Sequence, residues 1–119
     1  MHNFIKATEI WTPNETQTEL SLQNGLYGEK SELQSYSQNL SFKYNDGLPG
    51  KAWAKGHPII LTNLEESFFK RTEIVMSLGL TCAIAMPIFA GEYLRAVVVF
   101  LCGDSQEHAG AIEVWRASP

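Results

Sequence analysis

Long apolar runs are missing from this chain: no stretch approaches the roughly 18 apolar residues of a membrane-spanning helix. The start, Met1-His2-Asn3-Phe4-Ile5-Lys6, has neither the charged region nor the apolar core of a secretory signal, so a cytoplasmic location is expected. Basic side chains are scarce, 9 against 13 acidic ones, and form no run. Nucleic-acid binding rests on neutralising phosphates, so no nucleic-acid partner is expected, and no membrane partner either. Cysteine is nearly absent. Cys82 and Cys102 make no C-x-x-C pair and both lie in apolar, strand-like sequence, which favours buried thiols over a disulfide. His2, His57 and His108 lack metal-ligand spacing, so no metal and no cofactor is expected. There is no G-x-S-x-G elbow and no phosphate-binding glycine loop, and neither cysteine has a histidine or helix start nearby in sequence to lower its pKa.

What is present suits one globular domain over residues 1–119, long enough to bury about two-thirds of its unfolded surface. Phe4 to Trp11 reads as a strand, Thr12-Pro13-Asn14-Glu15 as a turn, and Glu19 to Gln23 as a half-exposed strand with Leu20 and Leu22 on one face. Ser31-x-x-Gln34 resembles a capping box, and Leu33, Tyr36 or Ser37, and Leu40 carry a short helix over 31–39. Asn63-x-x-Glu66 is a second capping signature, in which Glu65 and Glu66 suit the positive end of a helix dipole. Phe68, Phe69, Thr72, Val75 and Met76 then extend the longest helix over about 66–78, stopped by Gly79. A hairpin follows: Thr81 to Phe89, the turn Ala90-Gly91-Glu92, and Tyr93 to Cys102. Val97 to Leu101 is apolar at every position, as in a central strand covered on both faces. Ala109 to Trp115 reads as a last strand. Glu113-Val114-Trp115, near Pro119, echoes Glu9-Ile10-Trp11 before Pro13. The echo is either chance between two edge strands or a sign of equivalent strands in a tandem or symmetric assembly, which would continue past Pro119 in a longer form.

Asp46 to Leu64, DGLPGKAWAKGHPIILTNL, is the densest stretch of local instructions. Asp46-Gly47 is a turn pair. Pro49 suits the first position of a one-turn helix, where its missing N–H costs nothing, and Gly56 can take the positive φ that ends it. His57-Pro58 then forces the chain extended into Ile59-Ile60-Leu61.

Through these residues the chain resembles a GAF domain, a sensor and ligand-binding module. The resemblance is carried by Gly47-Leu48-Pro49-Gly50 with Trp53, by Gly56, His57, Pro58 and Ile59, by Phe69-x-Arg71, by Gly79-Leu80, by Met86-Pro87-Ile88 and by Leu94 to Phe100, together about residues 42–101. It implies an α+β fold of GAF-like, PAS-related architecture: a five- or six-stranded antiparallel sheet with short helices mainly on one face. The usual flanking N- and C-terminal helices are not expected, since strand-like sequence begins by Phe4 and no long helix follows Trp115. Val97 and Val99 then need cover on the face opposite Val98 and Phe100, and a homodimer that covers the back of the sheet is expected.

The resemblance further implies a small-molecule pocket between the sheet and the segment crossing it, residues 41–70. Its candidate lining is Tyr44, Trp53, His57, Phe68, Phe69, Arg71, Met86 and Phe100, with Arg71 and His57 as polar anchors. Trp53 and Phe69 also fit as core residues, and Arg71 as the partner of a carboxylate or of backbone carbonyls. No match exists to the cyclic-nucleotide motif of phosphodiesterase members or to the bilin cysteine of phytochromes. Two cysteines outside any recognisable motif speak against the methionine sulfoxide reductase branch. The implied function is non-catalytic sensing of an unidentified small molecule. A GAF-like dimerisation or docking module with a filled pocket is the alternative, and a thiol redox enzyme ranks last. A cavity of about 300 Å³ or more separates the first from the second.

Overall fold

The computed structural model describes residues 5–28, 30–64 and 71–103. Six antiparallel strands form one sheet in the order β3-β2-β1-β6-β5-β4. They are β1 (Ile5–Pro13), β2 (Glu19–Leu26), β3 (Ser41–Lys43), β4 (Ile59–Leu61), β5 (Leu80–Ala90) and β6 (Tyr93–Gly103). The apolar run in β6 suits its central place between β1 and β5, where both edges are hydrogen-bonded to neighbours. The edges fall to β3 and β4, three residues each, short enough to offer little to a passing strand. The β5–β6 hairpin closes on Gly91-Glu92, with Ala90 opposite Tyr93 and Gly91 at a φ of 65°.

Three helices, α1 (Ser31–Gln38), α2 (Gly47–Lys55) and α3 (Thr72–Ser77), lie on one face of this sheet. Leu33, Leu48, Ala52, Trp53 and Val75 from the helices join Ala7, Trp11, Leu20, Phe42, Ala83, Ala85, Val97, Val99 and Leu101 from the strands in a single core. The period of two along β6 thus sends Val97, Val99 and Leu101 inward, and Val98 and Phe100 to the back. The fold is α+β with a six-stranded antiparallel sheet and few, short helices.

Several local expectations change. Val97 and Val99 are fully buried by the chain's own helices, so the face left in need of cover is that of Val98. The helix opening the glycine-rich stretch is nine residues long rather than one turn, and Pro49 is its third residue. The first bonded N–H of α2 is that of Gly50, to the Asp46 carbonyl at 3.1 Å, so proline within the first turn still sacrifices no bond. Gly56 ends the helix at φ 75°, its N–H on the Ala52 carbonyl, as expected. Ser31 does not cap α1. Lys30 holds that position without a side-chain bond, and its carbonyl accepts the N–H of Leu33. The longest helix is expected over 66–78, but α3 begins only at Thr72, with the described Arg71 as its non-helical cap, and its six residues make it shorter than α1 and α2; Gly79 lies beyond it at φ 80°. The last strand expected at 109–115 lies outside the described residues, as do Glu65 and Glu66.

Candidate functional site

Alternation in β1 places Glu9 between Ala7 and Trp11 on the core face, where its side chain is fully buried. A carboxylate there needs every lone pair occupied. Trp11 Nε1 donates to Oε1 at 3.0 Å and the Tyr27 hydroxyl to Oε2 at 2.6 Å. Arg71 grips the same group with both prongs, Nη2 to Oε1 at 3.0 Å and Nη1 to Oε2 at 2.6 Å. Nη1 also donates to Ser37 Oγ at 2.7 Å. The guanidinium carbon lies 5.4 Å from the Trp11 ring centre and 5.8 Å from that of Phe42, and those two rings meet edge to face at 4.9 Å. One buried ion pair thereby joins β1, Tyr27 just past the end of β2, α1 and the residue that caps α3.

Burial works to raise the Glu9 pKa. The Arg71 charge and the bonds from Arg71, Tyr27 and Trp11 outweigh it and hold the carboxyl below its usual value. Burial first, and then the Glu9 charge beside it, push the Tyr27 phenol well above the ordinary tyrosine value, so it remains a donor throughout the physiological range.

Arg71 is 1 % exposed, yet it reaches the wall of an open cleft of about 310 Å³ lined also by Tyr36, Thr72, Glu73 and Ile74. Tyr36 stands on the outer face of α1, half exposed, across the cleft from α3. The other expected lining residues do not gather here. Trp53 is buried in the core, its outer side covered by the exposed Tyr44 ring in an edge-to-face contact at 5.3 Å. His57 is exposed, with Nδ1 3.0 Å from the Pro58 carbonyl. Met86 and Phe100 lie on the back of the sheet, in register with Val98 and with Ile84. Phe68 and Phe69 lie outside the described residues. Glu9, Tyr27 and Ser37 went unrecognised as a unit. The available signal was the A-x-E-x-W spacing of Ala7, Glu9 and Trp11, which puts an acid on the apolar face of a strand.

Among the described residues, no cluster of three or more His, Cys, Asp or Glu side chains could hold a metal ion, and no helix is long and apolar enough to cross a membrane.

No family model and no curated protein matches the chain. Solved structures do. The GAF domain of A. aeolicus Nlh2 in an inactive state superposes with a TM-score of 0.66 at 22% identity, over 88% of this chain and 62% of that one. NreA from Staphylococcus aureus, mutated in its nitrate-binding site, gives 0.65 at 14% identity, over 86% and 75%. Free methionine-R-sulfoxide reductase from Neisseria meningitidis, in complex with its substrate, gives 0.64 at 15%, over 87% and 57%. This chain thus spans less than two-thirds of the length of the first of these. At such identities the likeness concerns architecture, and the architecture of this chain is that of a GAF domain.

Proposed function

We propose that this is a non-catalytic sensor or regulatory domain that binds a small molecule, not between the sheet and the crossing segment 41–70 but in the cleft between α1 and α3 beside Arg71. The observation that carries the reading is the double engagement of Arg71: both prongs of the guanidinium are locked to Glu9 in the core, while the side chain borders a cleft of about 310 Å³. That volume falls in the range of small-ligand sites. A ligand that attracts or displaces Arg71 acts on the bonds joining β1, the Tyr27 turn and two helices, which is the differential contact a population shift requires. The GAF-like neighbours support the sensor class, and nitrate, bound by one of them, belongs among the small anions to be tried. The two cysteines stand on the back of the sheet, away from the cleft, which supports a site without thiol chemistry.

The alternative is a dimerisation module. Met86 and Ile88, 40% and 46% exposed, flank the half-buried Val98 on the back face, and Trp53 is packed shut beneath Tyr44. We propose a second copy of the chain as the cover for that face. Native mass spectrometry of the purified protein addresses both readings, reporting a co-purified ligand and the subunit count together. A ligand mass released on unfolding supports sensing. A ligand-free dimer supports the module, and a ligand-free monomer contradicts both.

A further inference from the structure

Cys82 and Cys102 are far apart in sequence terms, twenty positions, but they are Cα partners in the β5–β6 ladder. Directly paired residues of antiparallel strands project to the same face, with Cβ atoms about 4.5–5.5 Å apart. Their Cα atoms are then about 4.5–5.5 Å apart, within the span that a disulfide bridges, and closing the bond draws the Cβ atoms in to about 3.5–4.5 Å. The two thiols form a patch of their own on the back face, enclosed by Ile5, Ile60 and Phe100. Cys82 is 5% exposed and Cys102 is fully buried. The Cys82 thiol lies 3.9 Å from the Cys102 carbonyl oxygen. No disulfide joins them in this structure. From this register we infer that Cys82 and Cys102 are an oxidation site, a cross-strand dithiol that a hydroperoxide converts into an intramolecular disulfide.

The order of events follows from the two environments. The neighbouring Cys102 thiol holds the Cys82 thiol below its usual pKa, against the effect of burial, while the Cys82 thiol and burial push Cys102 up. Cys82 is also the one with access to solvent. Its thiolate attacks a peroxide oxygen, the O–O bond breaks, and the departing hydroxide takes up the thiol proton as water. The sulfenic acid left on Cys82 is attacked by Cys102 sulfur. The S–S bond forms, the S–O bond breaks, and hydroxide leaves with the Cys102 proton as a second water. Two thiols are oxidised and one peroxide is reduced. The bond ties the start of β5, where the chain leaves α3, to the end of β6. Thiol reductants reverse it by exchange.

The test treats native protein with hydrogen peroxide, quenches it at intervals, unfolds it and alkylates the remaining thiols before intact-mass analysis. The expected result is joint loss of both alkylatable thiols, at least tenfold, in single chains lighter by two hydrogens. Proteolysis should then link the Cys82 and Cys102 peptides, and dithiothreitol should release them. Unchanged thiols, sulfinic acid on Cys82 with Cys102 still alkylatable, or links between chains would each overturn the inference. In Cys102→Ser the sulfenic acid has no partner, so dimedone should label Cys82, and a folded variant that takes no label contradicts the order of attack. Should that variant not fold, the wild-type masses decide alone.

Discussion

At the scale of single residues, Glu9 is the most consequential side chain of the described structure. Four donors converge on its carboxylate, and its partner Arg71 is equally buried. Removing one member of such a pair leaves the other as an uncompensated buried charge, at a cost of about 3–5 kcal/mol. Glu9→Ala should therefore lower the unfolding free energy by that amount in urea titration, a large share of what a domain of this size possesses. The pair also sets a pH dependence. The folded-state pKa of Glu9 lies below its unfolded value, so its contribution is fully present above about pH 4.3. That contribution is lost as pH falls through the folded value. In Glu9→Gln this acid limb should be missing, and the stability gap to wild type should narrow below about pH 4.3. A gap constant from pH 7 to pH 3 would show that the carboxylate is not the linked group.

At the scale of elements, turn chemistry in 46–64 was the most legible part of the chain. Two glycines there do different work. Gly56 holds a left-handed φ with open space around its α-carbon, so Gly56→Ala should cost roughly 1–2 kcal/mol from backbone strain alone. Gly50 packs against the Lys43 carbonyl with no room for a methyl group, so Gly50→Ala should force backbone apart and cost about 1–3 kcal/mol or more. Equal losses in chemical denaturation of about 1 kcal/mol would contradict the close approach. The hairpin and central β6 were equally readable, because hydrophobic period and a glycine turn specify them locally. The site was not. Arg71 meets Glu9 across 62 positions and Ser37 across 34, and no local pattern encodes such pairings. The capping signature at Ser31 failed because the helix begins one residue earlier: Lys30 takes the N-cap position, and its carbonyl accepts the N–H groups of Leu33 and Gln34. The opposite placement of Met86 and Phe100 from Trp53 was legible in principle from alternation, but family likeness alone had grouped them.

At the scale of the whole molecule, the sheet has one face covered by three helices and a back that exposes Met86 and Ile88. If a second copy covers that back, wild-type protein sediments as a dimer at micromolar concentration, and Ile88→Lys sediments as a monomer. Because Ile88 is already half exposed, its own fold should change by less than about 0.5 kcal/mol. A monomeric wild type would remove the dimer from the account. The central claim, however, is that the cleft beside Arg71 takes a ligand. It is tested most directly by thermal unfolding against a panel of small anions, nitrate included, and small polar organic compounds, using wild type and a cleft-filling Ile74→Trp variant side by side. A ligand at about one hundred times its Kd adds about 2.7 kcal/mol, or roughly 10 °C in Tm for a domain of this size. The account predicts such a rise for at least one compound in wild type and its loss in Ile74→Trp. A flat wild-type response across the panel, or an equal rise in both proteins, would contradict it.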